Sequence, residues 1–285
     1  MKKIFIIILA LISLLTLSCS EKKTKVVDMA NRQLSIKENP KAVCLNRGLW
    51  EWMNKLSLQD NLIAIGKDCL EESDKPDLPI VGSDFQLDTN AIKELQPDVI
   101  LTLTSIDKYT LEWLINNKYN IVLFTYPTKM DDVYRAVGLL GSIFNKKDEA
   151  DKLIAQYKEE ITKIGEKNKN KTARGYFSIR FNDKLGEDMA ASGNMLIGNL
   201  LELAGITNLA KDKSDNIYHR DDIVKDNPDY VFLDSRSKEA YANKEPYKSL
   251  SAVQNNKLIG IDSKLLTQYT PKYIEAVKIM ADAVE

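Results

Sequence analysis

The stretch DTNAIKELQPDVILTLT, residues 88–104, returns with its landmarks intact as HRDDIVKDNPDYVFLDS, residues 219–235. At an offset of 131 positions Ile92 falls on Ile223, Pro97 on Pro228, Asp98 on Asp229, and Val99 and Ile100 on Tyr230 and Val231. Each copy reads as a short helix ending before its proline, because the residue preceding proline is pushed out of the α region. The Asp takes the turn, making it a structural residue rather than a catalytic one, and a buried strand follows. Each copy also sits similarly far after a first strand, KAVCL in one half and GYFSI in the other. A helix–turn–strand unit used once in each half constrains the chain to two related α/β lobes.

The rest of the chain fits that division. KAVCL (41–45), LIAIG (62–66), VILTL (99–103) and IVLF (121–124) are brief, β-branched runs that read as buried strands, with LWEWMNKL and TNAIKELQ at helical spacing between them. The βαβα order predicts parallel strands with helical crossovers. Residues 130–167 carry helical spacing without a proline. As one helix they would reach over ~50 Å, wider than a domain, while Gly138, Gly141 and Asn145 permit a break, so one long helix and a two-part helix are both readable. A second α/β series follows, with GYFSI (175–179), VFL (231–233) and LIGI (258–261) as strands.

The amino end reads as a leader. Lys2 and Lys3 precede an apolar run from Ile4 to Leu17, too short for a comfortable membrane span, and small Ser18 precedes Cys19. This resembles the bacterial lipobox, in which the thiol of Cys19 would be acylated, although Thr16 stands where the usual aliphatic residue would be. The expected organisation is a lipoprotein signal peptide at 1–18, a tether at 19–25, an N-terminal lobe at 26–129, a connecting helix at 130–167 and a C-terminal lobe at 168–285. Losing the leader removes two Lys and no acid, taking the formal charge from -1 to -3 with no basic block, which argues against a nucleic-acid partner. Cys44 and Cys69 leave two readings open, a disulfide or buried free thiols.

With VVDMANRQLSI near the mature start, then PIVGSDFQLDTNAIKELQPDVIL, GLLGSIFNKKDEADKL, SGNMLIGNLLELAGITNLA and DDIVKDNPDYVFLD in order, the chain resembles the solute-binding lipoproteins of ABC importers that capture ferric siderophores, haem or cobalamin. The resemblance spans about residues 26–284. It implies two α/β lobes, each a mostly parallel sheet flanked by helices, joined by one long interlobe helix with the ligand in the cleft between them. It also implies an extracytoplasmic protein anchored to a bacterial membrane by lipid alone. Its partners would be a permease dimer and a cytoplasmic ATPase, and its cargo an iron complex, ferric siderophore or haem, with no resident cofactor. Cobalamin, another metal chelate or an oxyanion, and a sensor or adhesin on the same scaffold, stand as alternatives.

Open α/β sheets bind ligands at the carboxyl ends of their strands. The loops there give Arg47, Trp50, Ser83, Phe85, Tyr109 and Tyr126 in the first lobe, with Asn46 and Ser105 nearby, and Arg180, Phe181, Arg236 and Tyr269 in the second, with Tyr241 and Gln268 beside them. Arginine forks suit carboxylate and catecholate oxygens, and aromatic faces suit a flat scaffold. The single histidine, His219, sits where the first copy has Asp88, a helix start. Its alternatives are a capping role or, with Tyr218, ligation of a bound iron. A lone His argues against the sister family that binds bare zinc or manganese. The resemblance further implies one acid per lobe for docking to permease arginines. Asp221 fills that place in the second lobe; in the first the matching residue is Asn90, leaving Asp88 or Glu94 to substitute. An enzyme would need a nucleophile elbow, a dinucleotide loop or a P-loop, and the sequence contains none of the three.

Overall fold

The computed structural model describes residues 22–70, 78–170, 172–182 and 186–285; the leader and Cys19 lie outside them. The described chain opens with an antiparallel hairpin, β1 (Lys23–Val27) and β2 (Gln33–Lys37). The first lobe follows as β3 (Ala42–Cys44), α1 (Arg47–Lys55), β4 (Leu62–Ile65), α2 (Thr89–Leu95), β5 (Val99–Leu103), α3 (Lys108–Asn116) and β6 (Ile121–Phe124). Its sheet is wholly parallel in the order β4-β3-β5-β6. Short β-branched runs separated by helices produce that arrangement, as the sequence reading expects.

The helical segment over 130–167 is two helices, α4 (Met130–Ile143) and α5 (Lys147–Asn168). Asn145, with φ of +55°, breaks it in the left-handed region that Asn tolerates better than most residues. A Cβ on Gly141 would lie 2.6 Å from Ala150 Cβ, so the two helices can close on each other only because this residue has none.

The second lobe holds β7 (Arg174–Asn182), β8 (Glu187–Ala190), α6 (Leu196–Leu203), β9 (Thr207–Asn208), β10 (Ile217–His219), α7 (Arg220–Asp226), β11 (Tyr230–Asp234), α8 (Lys238–Ala242), α9 (Ser251–Gln254), β12 (Leu258–Ile261) and α10 (Tyr273–Asp282). Its sheet runs β10-β8-β7-β11-β12, with β9 beside the start of β7. Strands β7, β11 and β12 are parallel, while β8 and β10 are antiparallel additions that the βαβ pattern did not foretell.

The repeated stretch folds the same way twice. Helix α2 ends at Gln96 and α7 at Asn227, both left-handed (φ +48° and +42°), and in both the capping N–H returns to the central isoleucine carbonyl. Asp98 Oδ2 accepts from Lys41 N at 2.8 Å, and Asp229 Oδ2 from Arg174 N at 3.0 Å. The Asp N–H groups donate back to the same residues' carbonyls at 2.9 Å each. A side chain and a backbone amide thus clamp the strand that follows to the neighbouring first strand of its lobe. Ile92 and Ile223 are fully buried on the outer face of their sheets, each worth about 2 kcal/mol of apolar burial.

Alternation along the strands divides the interior into three layers. Val43, Ile92 and Ile100 form the first lobe's outer core, and Tyr176, Ile223 and Val231 the second's. Between the sheets lies one core common to both lobes, in which Cys44, Leu101 and Phe124 join Phe177, Ile261, Tyr269 and Val277.

Candidate functional site

All four strands of the first sheet point their carboxyl ends the same way, so residues 45–47, 81–87, 104–109 and 125–128 share one edge. The second sheet sends 235–237 and 262–269 from its parallel strands, and β8 delivers residues 191–195 to the start of α6. Where these sets meet there is a pocket of about 250 Å³ between the lobes. Tyr126, Pro127 and Thr128 line it from the first lobe; Asn194, Met195, Leu196 and Ile197, with Leu266, Gln268 and Tyr273, line it from the second. The lining is apolar and aromatic with amide and hydroxyl groups, and it contains no charged side chain.

Tyr126, half exposed, is the predicted aromatic that the structure brings into this pocket. Phe85 and Tyr109 stand on the same sheet edge, 73% and 79% exposed, and are not among the residues that line the pocket. Ser83 is half-buried; its hydroxyl accepts from Gln86 N at 3.2 Å, making it a turn residue that presents Phe85. Beneath them Asp84 is buried and accepts from the Thr102 hydroxyl at 2.6 Å. Burial pushes its carboxyl up to about 6, against the favourable Thr102 bond.

Three of the predicted contacts belong to the seam between the lobes. Arg47 is largely buried, its Nε 3.3 Å from Glu51. Glu51 also holds Lys272 at 3.2 Å and accepts from the Thr270 hydroxyl at 2.7 Å, so a first-lobe carboxylate staples a second-lobe loop. Gly48 lets that loop close in, since a Cβ there would lie 2.1 Å from the Gln268 carbonyl. Tyr269 is a correction to the expected ligand set: it is fully buried in the central core at φ +62°, and its hydroxyl donates to the Thr125 carbonyl of the first lobe. Trp50 is half-buried and packs against that core from α1.

The second-lobe arginines face water rather than the pocket. Arg180 is exposed on β7. Arg236 is 81% exposed but forked onto Asp234 at 2.9 and 2.8 Å, with Ser263 at 3.2 Å, and that guanidinium holds the Asp234 carboxyl down to about 2. Phe181 is corrected as well: it packs edge-on against Tyr241 and Tyr247 in the outer core. Nor does Tyr218 reach the cleft, being buried with its hydroxyl on Asp226 at 2.6 Å. His219 stands exposed before α7, 3.9 Å from Glu187 and without a side-chain cap. Among the described residues no group of three or more His, Cys, Asp or Glu is placed to hold a metal ion.

The candidate docking acids lie at corresponding helix starts. Asp88 is exposed but committed to capping α2, accepting from Asn90 N and Ala91 N at 3.0 Å. Asp221 is exposed in the first turn of α7. Each helix runs antiparallel to the strand it feeds, so both starts lie level with the strands' carboxyl ends and hence with the cleft rim. Thr270 and Met195 were not singled out from the sequence, and Glu51 was read only as a pairing partner for Arg47. SGNM does precede a helix, and a helix start delivered to a sheet edge is the signal that could have pointed there.

A family model described as periplasmic binding protein matches residues 43–265. An ABC transporter substrate-binding lipoprotein of Bacillus subtilis, itself uncharacterized, is 23% identical over 279 residues, covering 94% of this chain and 88% of that one. A cobalamin-binding protein of Halobacterium salinarum is 20% identical, covering 90% and 72%. Among solved structures, the periplasmic heme-binding protein HutB of Vibrio cholerae superposes with a TM-score of 0.74 at 17% identity, over 86% of this chain and 98% of that one.

Proposed function

The chain belongs to the periplasmic binding protein family, and we propose that it captures an iron complex, ferric siderophore or haem, in the interlobe cleft and hands it to an ABC permease driven by a cytoplasmic ATPase. The observation that carries this reading is the uncharged, aromatic-edged pocket built from both lobes, with Tyr126 half exposed in its lining. Such a lining desolvates a flat or bulky apolar scaffold at little cost, whereas a small inorganic anion would find no cationic side chain in it to balance its charge. For haem, the Tyr126 phenol and the Met195 thioether are the pocket groups able to approach the iron. At about 250 Å³ the pocket encloses part of such a ligand and leaves the rest on the rim. That size ranks cobalamin, the bulkiest candidate, behind the iron complexes.

Delivery would use acids at the same rim. Asp221, and Asp88 less freely because it caps its helix, stand at the rim where paired arginines of a permease dimer would meet them. Acylation at Cys19 would hold the chain at an extracytoplasmic membrane surface, consistent with the relative named as a lipoprotein. Among the described residues no helix is long and apolar enough to cross a membrane.

The test is a titration of the chain from residue 20 with haemin, ferric catecholate and ferric hydroxamate complexes, and cobalamin, following tryptophan quenching and the Soret band. An iron complex is expected to saturate the signal, and Tyr126→Ala to weaken it about tenfold, ~1.4 kcal/mol. A response to cobalamin alone would move the cargo to that alternative. Silence toward every probe would overturn the reading in favour of an oxyanion binder, or of a sensor or adhesin on the same scaffold.

A further inference from the structure

Cys44 and Cys69 come together because the chain doubles back. Cys44 ends β3, a central strand, and pairs in register with Ile65 of β4. Past Ile65 the chain turns across the end of β3: Gly66 N donates to the Cys44 carbonyl at 2.8 Å, and the short turn Lys67–Cys69 brings the second thiol over the same residue. A Cβ on Gly66 would lie 2.8 Å from the Leu45 carbonyl oxygen, so this approach is open to glycine alone. The Cys69 thiol donates to the Cys44 carbonyl at 3.3 Å, and the Cys44 thiol itself donates to the Asn46 carbonyl at 3.3 Å. Both are unbonded and fully buried. Lys67 and Asp68, by contrast, are exposed, so opening one turn of chain presents Cys69 to solvent while Cys44 stays fixed in the sheet.

We infer that Cys44 and Cys69 are a dithiol that closes to an intramolecular disulfide by exchange with a disulfide donor, such as an oxidised dithiol. The Cys69 sulfur attacks the donor's S–S bond, giving a mixed disulfide and one donor thiol. The Cys44 sulfur then attacks the Cys69 sulfur, forming the internal bond and releasing the second donor thiol. Two electrons and the two cysteine protons pass to the donor. The neighbouring Cys44 thiol and burial push the Cys69 thiol up, so closure is slow near neutrality and accelerates with pH.

The consequence reaches the cleft. Lys67 N donates to the Gly82 carbonyl at 2.5 Å, and Gly82 begins the turn that carries Ser83 and Phe85. A cross-link at Cys69 therefore stiffens one rim of the cleft. The exchange chemistry is independent of what the cleft binds; only this effect on the rim rests on the proposed function.

The reduced full chain is incubated with oxidised glutathione, quenched with acid, unfolded and alkylated with N-ethylmaleimide, then mapped by peptide mass. The expected result is joint loss of Cys44 and Cys69 from the alkylated pool, their recovery in one linked peptide pair, and return of both on reduction. Cys44→Ser is expected to trap glutathione on Cys69, and Cys69→Ser to leave Cys44 alkylatable. Retention of both thiols, or linkage of either one to Cys19, overturns the proposal. Amide exchange at residues 67–70 and 83–86 is expected to slow about tenfold in the oxidised form, whatever the outcome of ligand titrations; unchanged exchange overturns the effect on the rim.

Discussion

In the first lobe the outer core beneath the repeated unit is apolar, with Val43, Ile92, Ile100 and Leu114 packed between sheet and helices. In the second, the same place holds Tyr176, Tyr218, Tyr241 and Tyr247 around the buried carboxyl of Asp188. Asp188 accepts from Tyr176 at 2.9 Å, Ser178 at 2.7 Å and Tyr247 at 2.5 Å, and Tyr176 in turn bonds Tyr241. The turns above these two interiors nevertheless share the left-handed cap and the Asp clamp. What specifies a lobe is thus the left-handed cap, the proline and the Asp clamp, which depend on backbone geometry. The packing below tolerates a change from oil to a hydroxyl network as long as every polar group finds a partner.

The sharpest way to break that comparison is Asp188→Ala, which takes their shared acceptor from three buried hydroxyls. A loss of about 4 kcal/mol in urea unfolding is expected, with no counterpart in the first lobe's outer core. Next comes a pH effect at Asp84 of the first lobe, a carboxyl that burial raises as it also raises Asp188 in the second. The folded Asp84 holds its proton up to about 6, above its usual 3.8, so the folded state binds more protons than the unfolded one between those values. Stability from this group is therefore greatest below about pH 4 and falls by roughly 3 kcal/mol as pH rises to 6. Asp84→Asn should remove that decline, measured as the difference in unfolding free energy between pH 4 and pH 7.

Smaller effects test the likeness rather than the difference. Asp98→Ala and Asp229→Ala should each cost about 1 kcal/mol, matched in size and additive in the double variant because the sites share no partner. Unequal losses would show that one clamp has become decorative. Least of all, Phe85→Ala and Tyr109→Ala should change stability by under ~0.5 kcal/mol, since both rings stand in water.

The repeat, the parallel strands and the two-lobe plan were legible because proline, β-branched runs and turn residues act locally. The antiparallel β8 and β10 were not, since a βαβ rhythm says nothing about strands added at a sheet edge. Of the candidate pocket, Tyr126 from the first lobe and Gln268 from the second were legible. Tyr126, Phe85 and Tyr109 follow their strands as expected, whereas Tyr269 sits on an equally suitable loop yet turns into the neighbouring lobe. Residue type and loop position do not distinguish those two fates, because the deciding contact, with Thr125, lies 144 residues away. The cross-lobe role of Glu51 escaped for the same reason: its partners Thr270 and Lys272 come from the far end of the chain.

Tyr269 also bears on how such chains can recombine. Its ring fills a hole in the other lobe's side of the central core, against Phe124 and Met29. A chimera joining the first lobe of one relative to the second lobe of another would inherit a peg cut for a different socket. To fold, the exchange would have to carry residues 266–272 along with the lobe they plug, so the working boundary between inheritable units runs through a loop near the carboxyl end as well as through the helices in the middle.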